Sequence, residues 1–235
     1  MRDNAFYLGE GEFTKQDESV RKVSSQMKGK YVDSQIADFM KYLQRKTREK
    51  FPNGIREEQK IELWRKRSAG EIIHDEFVTG CTDSALVYIT LSRAKGIPAI
   101  YVETIEEGYL RNPIGPVRGH VFADIYTDTI LRSDFSVPEK PYWVSVNPHR
   151  DHNWTTFSDT ISDTNRSKKV RRYSKYSEMP ELKNLEIARG LDFSQLYPDE
   201  ESDEKIEFRT LEQLISFIKK NCENFLIAKN KRICI

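Results

Sequence analysis

Cys81, His120 and Asn147 are the residues whose types and order suit one chemistry, attack of a thiol on an amide or ester carbonyl. The thiol supplies the nucleophile, the imidazole takes its proton and returns it to the leaving group, and the carboxamide holds the imidazole in one tautomer. Cys81 stands in Thr79-Gly80-Cys81-Thr82-Asp83-Ser84-Ala85-Leu86, directly before an apolar-periodic stretch. Its sulfur is therefore expected at a helix N-terminus, where unpaired N–H groups and the macrodipole favour the thiolate. Asn147 is predicted to accept a hydrogen bond from His120 Nδ1–H. An Asp there would also stabilise the imidazolium, whereas Asn gives orientation with less charge. The backbone N–H of Cys81 is the expected first oxyanion donor, and the Trp64 indole N–H is a candidate second. Asp124 shares a predicted strand face with His120 and is a possible orienter, although a structural role suits it better. His149, next after Asn147-Pro148, is placed to line the site. Asp83 is read as structural, since an acid in the first helical turn stabilises the helix while opposing a nearby thiolate.

The elements that must position these residues follow from periodicity. Ile36, Phe39, Met40 and Leu43 recur at helical spacing behind Asp33-Ser34, and Pro52-Asn53-Gly54 breaks the chain. A second helical segment runs from Arg56 to Arg67 with Ile61 and Trp64 on one face. Ser68 and Glu71 form a capping-box pattern that opens a short helix through Ile72, Ile73 and Phe77. The helix from Cys81 carries Leu86, Ile89, Thr90 and Ala94 and stops at Gly96-Ile97-Pro98. Ala99 to Thr104, His120 to Tyr126 and Tyr142 to Val146 read as strands. Ile105 to Arg118 reads as a loop at the site mouth, with Tyr109 and Leu110 as selectivity residues. Helices followed by one buried helix and consecutive strands predict an α+β fold, its nucleophile-bearing helix packed on an antiparallel sheet. Three regions are expected: a loosely attached arm over 1–30, a catalytic core over 31–155, and a polar extension over 156–235. That extension ends in an amphipathic helix with Leu211, Leu214, Ile215, Ile218, Cys222 and Phe225, opened by Thr210 and Gln213 and packed on the core.

Composition narrows the function classes. Lys+Arg 38 against Asp+Glu 37 leaves a formal charge of +1, so no global field recruits nucleic acid or an anionic membrane. The basic run Lys168 to Lys175 has only Tyr173 and Tyr176 near it for stacking, and the acidic run Asp199 to Glu204 is expected to face water. Cys81, Cys222 and Cys234 have no CxxC spacing, which argues against a disulfide framework. With no apolar leader and no stretch long enough to span a bilayer, a reducing cytoplasmic setting is expected. His149 and His152 offer zinc-compatible types in an HxxH loop, a weak pattern alone. No organic cofactor is implied, and no calcium-loop pattern occurs.

Around these residues the chain resembles the transglutaminase-like superfamily, which has a papain-like Cys-His-Asp/Asn core. The resemblance covers roughly residues 68–150. It lies in Gly80-Cys81-Thr82-Asp83-Ser84-Ala85, Leu91-Ser92-Arg93-Ala94-Lys95-Gly96-Ile97-Pro98-Ala99, Gly119-His120-Val121-Phe122-Ala123-Asp124-Ile125-Tyr126 and Trp143-Val144-Ser145-Val146-Asn147-Pro148. It implies that Cys81 is the nucleophile, His120 the base and Asn147 the third residue. The family more often has Asp at the third position and Trp where Phe122 stands. The implied activity is acyl chemistry on a protein or peptide amide through a Cys81 thioester, with hydrolysis (protease, amidase or deamidase) preferred over transglutamination. The alternatives are a non-catalytic binding module on the same fold and a peptide:N-glycanase-like deglycosylase.

Overall fold

In the computed structural model of the protein, which describes residues 3–112, 117–127, 142–148, 172–174, 183–198 and 202–230, the helix that begins at Cys81 is buried on every side. Every residue of it from Thr82 to Arg93 is buried. Two of its hydroxyls bond back into the helix, Thr90 Oγ1 to the Leu86 carbonyl at 2.7 Å and Ser92 Oγ to the Tyr88 carbonyl at 2.8 Å. That is how polar side chains survive in a helix without water. Gly96, at φ 76°, ends it in the left-handed region, and Ile97 N–H closes onto the Ser92 carbonyl at 2.9 Å.

The helices in chain order are α1 (Glu18–Gln26), α2 (Val32–Lys50), α3 (Glu57–Leu63), α4 (Ala69–Asp75), α5 (Cys81–Ala94), α6 (Glu107–Arg111) and α7 (Leu211–Asn230). The strands are β1 (Ala99–Glu106), β2 (Gly119–Thr127), β3 (Tyr142–Val146), β4 (Arg172–Ser174), β5 (Lys183–Asp192) and β6 (Gln195–Tyr197). Among the described residues they form one antiparallel sheet in the order β3-β2-β1-β5-β4, with β6 also on β5. The architecture is α+β. One face of the sheet carries Tyr101, Ile105, Val121, Ala123 and Ile125 against α5, with α1, α2 and α4 behind it. The other carries Ile100, Val102, Phe122 and Leu191, covered by Phe6, Tyr7 and Trp143. No helix among the described residues is long and apolar enough to cross a membrane.

The expected capping boxes are present. Glu71 N–H donates to Ser68 Oγ at 3.3 Å while the Glu71 carboxylate accepts the Ser68 N–H at 2.7 Å. Thr210 and Gln213 exchange the same pair of bonds at 2.9 and 3.2 Å. Leu214 and Ile218 of α7 are buried in the core, while the side chains of Cys222 and Phe225 lie outside the described residues.

Three expectations are corrected. The expected loose arm over 1–30 is not one where it is described, because Tyr7, Thr14, Val20 and Met27 are buried and Arg93 holds the segment. The Arg93 guanidinium donates to the carbonyls of Tyr7, Ala99 and Leu191 and to Thr14 Oγ1, at 2.6–3.1 Å. The segment Ile105 to Arg118 is not an open loop where it is described. Ile105 and Glu106 finish β1, α6 follows, and Tyr109 and Leu110 face the core. The boundary at 155/156 also fails. β5, from the supposed extension, pairs with β1 in the interior of the sheet, with Tyr101 opposite Gly190. Charged residues conceal this strand in the sequence, since Glu186 and Arg189 pair with each other inside it.

Candidate functional site

Cys81 is the first residue of α5. Its N-cap, Gly80, has extended backbone (φ 177°) and no side chain to cap the helix. The turn is instead fixed from within. Thr79 N–H and Oγ1–H both donate to Asp83 Oδ2 at 2.8 Å, and Arg67 Nη2 donates to the same oxygen at 2.5 Å. Asp83 therefore holds the turn between α4 and α5, its charge matched by Arg67, which agrees with a structural role. Cys81 as a residue is half-buried, and its sulfur accepts backbone N–H groups from Val121 and Thr82.

The thiol itself departs from expectation. Burial pushes Cys81 above the ordinary thiol value, and the Glu103 carboxylate pushes the same way. The Val121 and Thr82 N–H groups and the Arg65 guanidinium pull it down without reversing the balance. Placement at a helix start does not lower this thiol, because desolvation of the charged form is the largest influence on it.

His120 lies on β2, one residue before the Val121 whose N–H meets the sulfur. The β2–β3 ladder runs from Ala123 opposite Val146 to Thr127 opposite Tyr142, so Asn147 follows directly after the last paired residue. Its Oδ1 stands 3.0 Å from His120 Nε2. The expected partners meet, but through Nε2 rather than Nδ1. A carboxamide oxygen can only accept, so Nε2 carries the hydrogen and Nδ1 is the basic nitrogen of the neutral ring. Phe122 meets the imidazole edge-on with centroids 4.7 Å apart. Gln44 Nε2 of α2 donates to the Pro148 carbonyl at 3.3 Å and so ties α2 to the segment beyond Asn147.

The remaining candidates divide. Asp124 accepts from Ser145 Oγ at 2.6 Å and from Arg189 Nη2 at 3.4 Å. Four residues along a strand is about 13 Å, so it braces β2, β3 and β5 rather than orienting His120. Trp64 is half-buried, and its ring carries the Arg65 guanidinium at 4.3 Å. His149 and His152 lie outside the described residues. Among the described residues no group of three or more His, Cys, Asp or Glu is gathered to hold a metal. A depression of about 450 Å³ lined by Asp38, Lys41, Tyr42, Arg45 and Arg48 runs along α2 and includes none of Cys81, His120 or Asn147.

Sequence reasoning missed the polar layer beneath the sulfur. Arg65 Nη2 donates to Glu103 Oε2 at 2.6 Å, and Tyr101 Oη donates to the same oxygen at 3.2 Å. Tyr101 also bonds the Thr82 side chain. A signal was present: Glu103 alternates with Tyr101 and Ile105 on one strand face, which points a carboxylate inward.

Comparisons of the chain with protein-family models, with curated proteins and with solved structures returned no match.

Proposed function

We propose that the protein performs cysteine-nucleophile acyl chemistry on a protein or peptide amide, on a transglutaminase-like, papain-related architecture. The observation that carries this reading is the His120 Nε2–Asn147 Oδ1 bond of 3.0 Å, made one residue from the N–H that meets the Cys81 sulfur. In this reading Cys81 Sγ attacks the carbonyl carbon as His120 Nδ1 takes the thiol proton. The oxyanion takes the Cys81 backbone N–H, one of the helix N–H groups without an intrahelical partner, and Trp64 is the candidate second donor. Collapse breaks the C–N bond, and His120 Nδ1–H protonates the leaving nitrogen. Water then attacks the thioester, giving its proton to Nδ1, and the acid leaves as Cys81 regains its hydrogen. Hydrolysis is preferred over transfer to an amine, in a reducing cytoplasmic setting without a cofactor. Because burial raises the resting thiol, proton removal accompanies attack rather than preceding it.

The test is acid-quenched intact mass spectrometry of the full chain with peptides bearing glutamine, asparagine and glycosylated asparagine. An acyl adduct on Cys81, absent from Cys81→Ala and discharged by hydroxylamine, is the expected result. No adduct and no product from any of these peptides would remove the acyl reading.

A second reading, a binding module without turnover, is favoured by one observation, the raised Cys81 thiol. It expects tight peptide binding that Cys81→Ala leaves unchanged.

A further inference from the structure

Beneath Cys81 lies an ion pair whose position is hard to explain by stability. The Arg65 and Glu103 side chains are only 1% and 3% exposed, and they meet at 2.6 Å. Taking two charges out of water is unfavourable, and replacing such a pair by apolar groups is often neutral or stabilising. The pair is also imperfectly satisfied. Arg65 Nη1 donates to the Phe208 carbonyl at 2.6 Å, but Arg65 Nε makes no hydrogen bond. Arg65 itself sits at φ 56°, a left-handed conformation that is unfavourable for a non-glycine residue. Strain and buried charge held together in one place point to a task other than packing.

The geometry shows what the task is. Across the β1–β2 ladder Glu103 lies opposite Val121, whose N–H meets the Cys81 sulfur. Tyr101 bonds both Glu103 and Thr82, and the Thr82 N–H is the second backbone donor to that sulfur. A continuous chain, Arg65–Glu103–Tyr101–Thr82, thus ends at the nucleophile's immediate neighbour.

We propose that the buried Arg65–Glu103 pair is a positioning and charge-setting device for Cys81, holding its sulfur through Tyr101 and Thr82 and fixing its thiol–thiolate balance. The proposal deepens the acyl-transfer reading and rests on Cys81 being the nucleophile. Of the charged and titratable groups nearby, Glu103 of β1 and Arg65 of the turn after α3 act on the thiol, Tyr101 of β1 bonds Glu103, His120 of β2 precedes the Val121 whose N–H meets the sulfur, and Asp83, paired with Arg67, lies two residues along α5. Apart from burial, Glu103 raises the thiol and Arg65 lowers it, Glu103 the more strongly. The pair thus sets a carboxylate that disfavours the thiolate beside a cation that favours it.

The experiment is the rate of Cys81 alkylation by iodoacetamide against pH in the full chain, read by peptide mass spectrometry. It is run on the parent and on Glu103→Gln, Arg65→Met, Tyr101→Phe and His120→Ala, with far-UV circular dichroism on each. Glu103→Gln is expected to lower the alkylation midpoint by about one pH unit, and Arg65→Met to raise it. Tyr101→Phe keeps the ring volume and removes only the bridging hydroxyl. It is expected to raise the midpoint by leaving the Glu103 charge less shared, and it serves if the charge variants fail to fold. Midpoints that stay with the parent in every variant that folds would overturn the proposal, since a purely structural pair has no reason to move the titration. The two readings fail separately. A shift in Glu103→Gln with labelling indifferent to His120→Ala keeps the charge setting and removes the acyl mechanism. A His120-dependent rate with an unmoved Glu103→Gln midpoint does the reverse.

Discussion

His120 Nε2 and Asn147 Oδ1 meet at 3.0 Å across 27 residues of sequence, because β3 ends one residue before Asn147. That single contact decides which imidazole nitrogen is basic.

Asn147→Ala removes the acceptor that selects the tautomer. If the proposed acyl chemistry holds, thioester formation should fall by about 10²-fold, in the range of a misplaced general base, with the fold intact by circular dichroism. Asn147→Asp keeps the acceptor and adds charge. It should recover the rate and move the acid limb of the pH–rate profile upward, since a neighbouring carboxylate favours the imidazolium. An unchanged limb would place residue 147 out of contact with His120.

Cys81 should alkylate with a midpoint above the ordinary thiol value of about 8.5, since burial leads its upward shift. The sign carries into stability. A thiol whose folded value is raised adds stability below the unfolded value, and that contribution is lost as pH rises through the folded one. Urea unfolding at about pH 8 and about pH 10, on either side of that ordinary value, should therefore show a larger loss for the parent than for Cys81→Ala.

Arg93→Met should destabilise the protein by about 3–5 kcal/mol in urea titration, because it strands three buried carbonyls at once. The carbonyls belong to Tyr7, Ala99 and Leu191, so residues 3–16 should also become sensitive to limited proteolysis. A stable, protease-resistant variant would mean that the N-terminal segment is held by its apolar contacts alone.

Asp83→Asn withdraws the charge that faces Arg67 and weakens the two bonds from Thr79. Arg67 keeps Asp75 at 2.9 Å, so the expected cost is about 2–3 kcal/mol. Alkylation of Cys81 should become less uniform as the turn loosens, visible as a second kinetic phase.

The helical half of the fold was legible because its signals are local. Ser68 with Glu71, Thr210 with Gln213, and Gly96 before Pro98 each announce a helix end with neighbours in sequence. Cys81, His120 and Asn147 were legible as residue types. The nitrogen that joins the last two was not, since it depends on where β3 stops. β5 was hidden because Glu186 and Arg189 look like a solvated segment until each meets the other, and Arg189 meets Asp124, inside the sheet. Glu103 was hidden for the same reason: a carboxylate reads as exposed until a distant Arg65 is brought to it. Tyr109 and Leu110 misled in the opposite direction, as apolar residues in a polar stretch that turn out to be core.

The placement of β5 between β1 and β4 also sets an order in time. β1 leaves the ribosome about 85 residues ahead of β5, a delay of roughly 4–17 seconds at ordinary elongation rates. Until Lys183–Asp192 emerges, Glu103 has one open flank and Arg189 is not there to meet Asp124. A nascent chain halted after Pro148 would already hold β1, β2 and β3 and the residues of the His120–Asn147 contact, but not the strand that pairs with the far edge of β1. Pairing of β1 on both of its edges thus waits until most of the polypeptide has been made.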